Sequence, residues 1–442
     1  MNERPLHVAR APGRLDVMGG NVDYVGGLVF QATIREATWA EARLREDDRV
    51  VLSNPQVAGL GWMDRLEFRL SDFSTEESVR ALARRDARTH WTAYILGAFL
   101  LLRRRWPERV RVGVDVSIHS DVPLNKGVSS SAAIEVAVLK ATASAYGIAL
   151  SGVELAECCQ WMENVIAESA CGIMDQLANV LGDENCILPL LCQPAQPLPL
   201  VRLPQGLSVW GIDSGVSHHV SGLEYEAARA ASFIGYRMIC DWEKLPVSPE
   251  EGSALPRFTD PRWNGYLANI SPSLFRSRYE SRLPVLLRGA DFLGSAREHA
   301  DPFTTIRTDI EYRVRDCTRY SVEDSERVRL FVELVRCGVG FEQMGELMYQ
   351  SHWSYSECGL GCEATDQIVD FVRAEGPSNG LYGARVTGGG AGGTVVVLGR
   401  SDAKTAFQRV VERYAQIAGT IPYVFSGSSI GADRFGVRVV NG

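Results

Sequence analysis

Apolar and polar positions change period repeatedly along the chain. Residues 6–12 and 27–40 alternate and are β-branched in part, which predicts two strands. Residues 89–104, THWTAYILGAFLLLRR, carry a helical apolar period, and alternation resumes over 111–120, RVGVDVSIHS. The polar loop DVPLNKGVSSS then opens into a small-residue helix over 130–147, with a further helix over 151–169. LSVWGID, residues 207–213, reads as a buried strand, and 223–242 as a helix. Residues 245–265 are rich in proline, glycine and polar side chains, and predict a loop or insertion. Helical periods return over 322–337, 341–350, 363–374 and 401–418. ARVTGGGAGGTVVVLGR reads as strand, glycine loop and strand, and the chain ends strand-like. There is no internal repeat or low-complexity tract. Strands and helices that mix without strict alternation predict an α+β fold rather than a doubly wound sheet.

Length and charge narrow the classes. The 442 residues suffice for two or three domains. A net charge of −8 and a pI near 5.6 argue against broad nucleic-acid binding, which needs a basic face. The densest basic run, Arg103 to Arg105, reads as a solvated helix end. No apolar run approaches a membrane span, and MNERPLHVARAPGR lacks the apolar core of a signal peptide, so no membrane partner and a cytoplasmic location are expected. The ten cysteines are scattered. Neither Cys158–Cys159 nor Cys358 with Cys362 has zinc-site spacing, and reduced thiols are expected. Nothing in the sequence sets an oligomeric state.

Four stretches carry candidate chemistry. PLNKGVSSSAAIEVA, residues 123–137, is a glycine-serine loop running into a helix, whose N-terminus offers unpaired N–H groups and positive dipole charge. It is either an anion site, most often for phosphate, or an ordinary serine cap; it lacks Walker spacing. VTGGGAGGTVVV, residues 386–397, gives up side chains, for close backbone approach or a bare turn. APGRLDVMGGNVDYVGG, residues 11–27, sets Arg14, Asp16 and Asp23 among turn formers. ESACGIMDQLANVLG starts an apolar helix at Asp175, either a cap or a functional carboxylate. Anion-suited loops plus a carboxylate in one acidic chain point to phosphoryl transfer from a nucleotide.

APGRLDVMGGNVDY, PLNKGVSSSAA, CGIMDQ and VTGGGAGG, in this order, resemble the GHMP kinases, and the first and third the galactokinase branch. The resemblance spans nearly the whole chain. It implies a two-lobed α+β GHMP kinase fold with the active site in the inter-lobe cleft. The lobes would be residues 1–205 and 206–442, approximately, because the chain crosses between them. ATP and Mg²⁺ would be the cofactors. Gly127, Ser129, Ser130 and Ser131 would wrap the ATP phosphates, with Gly389 and Gly390 of the glycine loop also at the nucleotide. Ser131 and Glu163 would hold Mg²⁺. Trp91 matches a tryptophan of the adenine pocket, or is a core aromatic. Arg14 would face the transferring phosphoryl group and the anomeric oxygen. Asp175 would accept the hydroxyl proton as base, or only orient the hydroxyl and offset Arg14. Asp23 and Tyr225 would bind the sugar. Asp16 stands where galactokinases usually have asparagine, and no role is assigned to it.

The sugar is the remaining question. Galactokinases usually read GEHTDY where this chain reads GGNVDY, so Gly20 replaces a glutamate that contacts the exocyclic hydroxymethyl group, and Asn21 replaces a histidine. Without that carboxylate a C6 hydroxyl gains no partner, which fits a pentose such as L-arabinose. GRLDVMGG, VWGIDSGVSHHVSGLEY, LCQPAQPLPLV, HWSYSECGLG and FSGSSIGADRFG also resemble the kinase domain of plant L-arabinokinases, which often carry an extra N-terminal domain, and the expectation is that the 442 residues correspond to the kinase part. The expectation is phosphorylation of L-arabinose at its anomeric hydroxyl. A galactokinase with a relaxed pocket is the alternative. A uronate kinase would want a cation near C6, and neither position 20 nor 21 supplies one. A sugar sensor without turnover is the reading from another class.

Overall fold

Strand Leu6–Met18 pairs antiparallel on one side with Leu28–Leu44 and on the other with Val437–Val440, close to the end of the chain. The computed structural model describes residues 4–217, 223–252, 255–295 and 298–441. The sheet built on this strand continues through Val114–Ser120, Arg49–Ser53 and Arg65–Arg69, while Cys186–Leu191 pairs with the first half of Leu28–Leu44. The pairing of Arg49–Ser53 with Val114–Ser120 is parallel and the other pairings in this sheet are antiparallel. Helix Ser130–Ala145 packs on its first two strands. A second, four-stranded sheet runs Leu381–Val386, Thr394–Arg400, Leu207–Asp213, Val424–Ser426. Helices Phe341–Tyr355 and Glu363–Glu375 cover it, and Lys404–Ala418 packs on the latter. This is the α+β architecture expected.

The two sheets share a core. Leu15, Val17, Phe30 and Ile34 of the first sheet pack in one buried cluster with Phe331, Met348, Val396 and Phe425. Each such side chain contributes about 1.5–3 kcal/mol by leaving water. The packing of one sheet on the other is thus apolar.

Several elements differ from the sequence expectation. The first strand runs on to Met18, so Arg14 and Asp16 lie in strand and the turn begins at Gly19. Strands Arg49–Ser53, Arg65–Arg69 and Cys186–Leu191 and helix Glu76–Arg84 were not anticipated. They are short, and the neighbouring sheet and helices decide their conformation. The helix expected over 322–337 begins at Val314. Its first turns bury Thr318 and Ser321, whose hydroxyls bond to the carbonyls of Val314 and Cys317, so polar residues on the inner face hide the period. The helix expected over 151–169 is α only to Trp161, then passes into a wide π-turn, Met162–Ile166. Within it Asn164 Nδ2 donates to the carbonyls of Gln160 and Cys171, which ties the turn to the segment that follows. Within 245–265 the described residues include a two-residue ladder, Ser248–Pro249 with Phe258–Thr259. Residues 253–254 of that segment, and 218–222 of VWGIDSGVSHHVSGLEY, lie outside the described residues. All ten cysteines are described and unpaired. No helix among the described residues is long and apolar enough to cross a membrane.

Candidate active site

The three motifs converge because their backbones touch. The register of the first strand shifts between Pro12 and Arg14, an irregularity that re-aims the next side chain. Arg14 N donates to Val128 O at 3.1 Å, which lays the strand against the serine loop. A Cβ on Gly388 would stand 2.7 Å from Gly127 O, so the glycine loop can approach the serine loop this closely only without a side chain there. Thr394 Oγ1 donates to Lys126 O at 2.8 Å, and Lys126 Nζ meets Asp213 at 2.9 Å, tying the same loop to the second sheet.

Between these loops lies a cleft of about 410 Å³. Its wall includes Arg14, Asn21, Asp23, Trp91, Gly127, Ser129, Ser130, Ser131, Glu163, Asp175, Tyr225 and Gly389. Gly20 and Gly390 are not in that wall: Gly20 is buried beneath the turn, and Gly390 packs against Tyr355 and Leu360. A wider depression of about 750 Å³ lies beside Lys126 and Asp213, lined also by Tyr414, Ile421 and Tyr423. It is larger but contains neither the arginine–carboxylate pair nor the helix start, so the smaller cleft is the better candidate for chemistry.

Arg14 is at its centre. Its Nε and Nη2 each donate to one oxygen of Asp175 at 2.8 Å, and Nη1 donates to Gly127 O at 2.6 Å. A planar guanidinium and a carboxylate in this fork fix each other's orientation. A carboxylate has about four lone-pair sites, so two remain on Asp175 for a hydroxyl in the cleft.

On one side of the pair, helix Ser130–Ala145 points its N-terminus into the cleft. Ser129, just before it, holds φ 67°, a left-handed conformation that costs a non-glycine residue of order 1 kcal/mol. The helix start leaves N–H groups without intrahelical partners, aimed where an anion can sit. Further out are Trp91, whose Nε1 donates to Met63 O at 3.0 Å, and Val57, Leu60, Trp62 and Tyr94.

Glu163 lies in the π-turn, which carries its side chain to the cleft wall beside Ser131. Burial, then the charge of Asp175, pushes its carboxyl up to about 7, while hydrogen bonds with Ser131, Glu135 and Cys171 pull the other way. Gln176 Nε2 donates to it at 2.8 Å. Behind it, burial and then the Glu163 charge push the carboxyl of the fully buried Glu135 well above its ordinary value. Among the described residues no cluster of three or more His, Cys, Asp or Glu is arranged to hold a metal ion. Mg²⁺ does not require one, since it is commonly held by one or two protein groups with phosphate oxygens and water. The Glu163 carboxylate and Ser131 hydroxyl suit that arrangement.

On the other side of the pair the wall is polar and buried. Asn21 is 2% exposed and its Nδ2 has no partner. A buried amide N–H without a partner is costly unless a ligand completes it. Asp23 sits beside it, with Oδ1 accepting from Tyr24 N at 2.8 Å. Burial, reinforced by the Asp175 charge and opposed by Arg229, raises its carboxyl to about 7. Gly172 lies against Asp23 so closely that a Cβ would be 1.8 Å from Oδ2. Tyr225 closes this end and meets Tyr24 edge-on at 6.1 Å.

Sequence reasoning missed Asn54, Gln56, Val57, Leu60 and Trp62, which reach the cleft from a short 3₁₀ segment and its flanks. NPQVAGLGW has no period, and only its tryptophan and proline-glycine punctuation hint at a wall. It also gave Asp16 no role. Asp16 forms a fully buried ion pair with Arg385, Oδ2 to Nη1 at 2.5 Å.

Comparison with known proteins gives the family. Residues 1–44 match the galactokinase galactose-binding signature, 93–183 the GHMP kinases N terminal domain and 339–416 the GHMP kinases C terminal. The matched architecture is that of a two-lobed small-molecule kinase. The chain belongs to the GHMP kinase family, in its galactokinase branch close to L-arabinokinase. It is 35% identical to an L-arabinokinase of Arabidopsis thaliana, over 98% of this chain and 47% of that protein, and so spans about half its length. It is 32% identical to a galactokinase of Chloroflexus aurantiacus, over 93% of this chain and 88% of that one. Among solved structures, Lactococcus lactis galactokinase complexed with galactose shares the fold with TM-score 0.74 at 20% identity, covering 96% of this chain and 94% of the other. A mevalonate kinase does so with TM-score 0.57 at 13% identity, covering 96% and 99%.

Proposed function

We propose that the chain is an ATP-dependent sugar 1-kinase that converts L-arabinose to L-arabinose 1-phosphate. The observation that carries the kinase reading is the bidentate Arg14–Asp175 pair in one cleft wall with a helix N-terminus and the buried Asn21 and Asp23. In this reading Gly127, Ser129, Ser130 and Ser131 hold the phosphates of ATP through backbone N–H groups and hydroxyls. Trp91, with Trp62, Leu60 and Val57, packs the base. Ser131 and Glu163 would hold Mg²⁺, which would supply positive charge to neutralise the transferring phosphate.

Asp23 and Tyr225 bind ring hydroxyls, and Asn21 donates its spare N–H to one of them. Asp175 uses its free acceptor sites to aim the anomeric hydroxyl at the γ-phosphorus. The sugar oxygen bonds to that phosphorus, the bond to the β-phosphate oxygen breaks, and ADP leaves. The hydroxyl proton passes to Asp175 and then to solvent. Arg14 stabilises the charge on the transferring oxygens, which is worth most in a site shielded from water.

L-Arabinose is favoured because Gly20 brings no side chain to the sugar, so a C6 hydroxyl would enter without a partner. The L-arabinokinase relative supports the same sugar. The galactokinase relatives and the signature over residues 1–44 support D-galactose as the second reading. A sensor without turnover fits the paired Arg14 and Asp175 less well. The test is ADP release with Mg-ATP over L-arabinose, D-galactose, D-galacturonate, D-glucuronate and no sugar. The highest kcat/KM is expected on L-arabinose. A higher value on D-galactose overturns the pentose reading, and no release above background with any sugar overturns the kinase reading.

A further inference from the structure

The two departures in the opening motif meet at one side chain. Gly20 has φ +48°, and a Cβ built on it would lie 3.0 Å from Arg385 Nη2, 3.1 Å from the Tyr355 hydroxyl and 3.2 Å from Asp16 Oδ2. Arg385 is fully buried, as is Asp16. Asp16 engages only Nη1 of the guanidinium, while Nε and Nη2 have no partner. Asp16 is itself fixed from two sides. Its Oδ1 accepts from Gln31 Nε2 at 2.6 Å and its N–H donates to Thr387 Oγ1 at 2.6 Å. The surroundings grip the same turn. Tyr320 donates to Gly19 O at 2.8 Å, and Tyr355, whose ring lies 5.5 Å from the Arg385 guanidinium carbon, donates to Gly388 O.

We infer that Asp16, Gly20 and Arg385 form one specificity element, in which Arg385 is neutralised from the first strand so that the sugar-facing turn carries no side chain at position 20. A buried guanidinium needs a carboxylate. Its spare N–H groups include Nη2, the nitrogen nearest the position a side chain at 20 would take. A carboxylate arriving from 20 would meet those groups from within the turn whose next residues, Asn21 and Asp23, line the cleft. A carboxylate arriving from 16 satisfies the charge from behind the turn. Glycine at 20 is then the residue that fits. Position 20 alone does not set the sugar: adding a glutamate there while Asp16 remains brings a further carboxylate to an arginine that already has Asp16 bonded to it and the buried Asp324 nearby. Arg385 and Asp16 are positioning residues, since neither lines the cleft. The inference rests on the sugar-kinase reading above.

The experiment exchanges the carboxylate's origin. Asp16→Asn, Gly20→Glu and the double variant are compared with the wild type for kcat and for KM of L-arabinose, D-galactose and ATP, with folding checked by thermal melting. Each single variant is expected to lose about tenfold or more in kcat/KM on both sugars, through the sugar KM, with the ATP KM within about threefold of wild type. The double variant is expected to regain activity, and its galactose-to-arabinose ratio to rise about thirtyfold. If Gly20→Glu alone gives that rise, if the two changes simply add, or if ATP and sugar KM move together, the inference is overturned. Should the double variant not fold, Asp16→Asn/Arg385→Gln, uncharged at both sites, replaces it. It should recover the arabinose KM lost in Asp16→Asn, and failure to recover it while folded is equally fatal. A wild type that prefers D-galactose would overturn the pentose reading alone, and coupling between 16 and 20 would still be read from the same cycle.

Discussion

Replacing Gly172 by alanine adds one methyl group, and the structure says where it goes. The new Cβ would lie 1.8 Å from Asp23 Oδ2 and 2.7 Å from Oδ1. A carbon and a carboxylate oxygen tolerate about 3.3 Å, so the carboxylate must retreat by about 1.5 Å, more than the width of the hydrogen-bond range. Gly172 is not among the positive-φ glycines, so alanine meets no backbone strain there. The obstacle includes Asp23 Cγ at 2.2 Å, so the whole buried carboxyl group must shift, and folding stability should fall by about 1–3 kcal/mol. Function bears a loss as well. A hydrogen bond to a charged group is worth about 1.5–3 kcal/mol, or about 10–150-fold in affinity. Gly172→Ala is therefore expected to raise the sugar KM by about 10–150-fold, with the ATP KM changed less than about threefold. The assay is initial-rate ADP release over a sugar series at saturating ATP, alongside urea unfolding. In an Asp23→Ala background the same change should have no further effect on the sugar KM. A sugar KM within about twofold of wild type would refute the argument that Gly172 sets the carboxylate's position.

Asp175→Asn is expected to lower kcat by about 100-fold or more, with ATP affinity nearly unchanged; activity above a few per cent, measured by ADP release, would remove Asp175 from its assigned role. Because the Asp23 carboxyl is raised to about 7, it protonates and loses acceptor capacity as pH falls through 7, so the sugar KM should rise on going from pH 8 to 5.5 and level off above pH 8. Asp23→Asn should flatten that dependence in a pH series of sugar KM. The stability sign is the reverse: a carboxyl raised from 3.8 to about 7 contributes stability present below its unfolded value and lost as pH rises through about 7. Asp16→Leu, which leaves Arg385 buried without its carboxylate, should cost about 3–5 kcal/mol by urea unfolding, whereas a loss below 1 kcal/mol would mean that the pair is not needed by the core.

What the sequence determined by itself is the set of local elements and the chemistry of the short motifs. Long periodic stretches such as Leu223–Trp242 and Lys404–Ala418 announce themselves, because an amphipathic face is written in the residue order. So does the glycine-serine loop before Ser130, since a turn and a helix start use local residues. Tertiary structure decided how far strand Leu6–Met18 runs, the π-turn that carries Glu163, and the partner of Asp16. Each depends on a residue elsewhere in the chain: Val437–Val440 beside the first strand, Cys171 beyond the turn, Arg385 across the molecule. The same holds for Gly172, whose small size reads as nothing special until Asp23 is seen against it. Close approach is a property of two segments at once, and a sequence shows only one segment at a time.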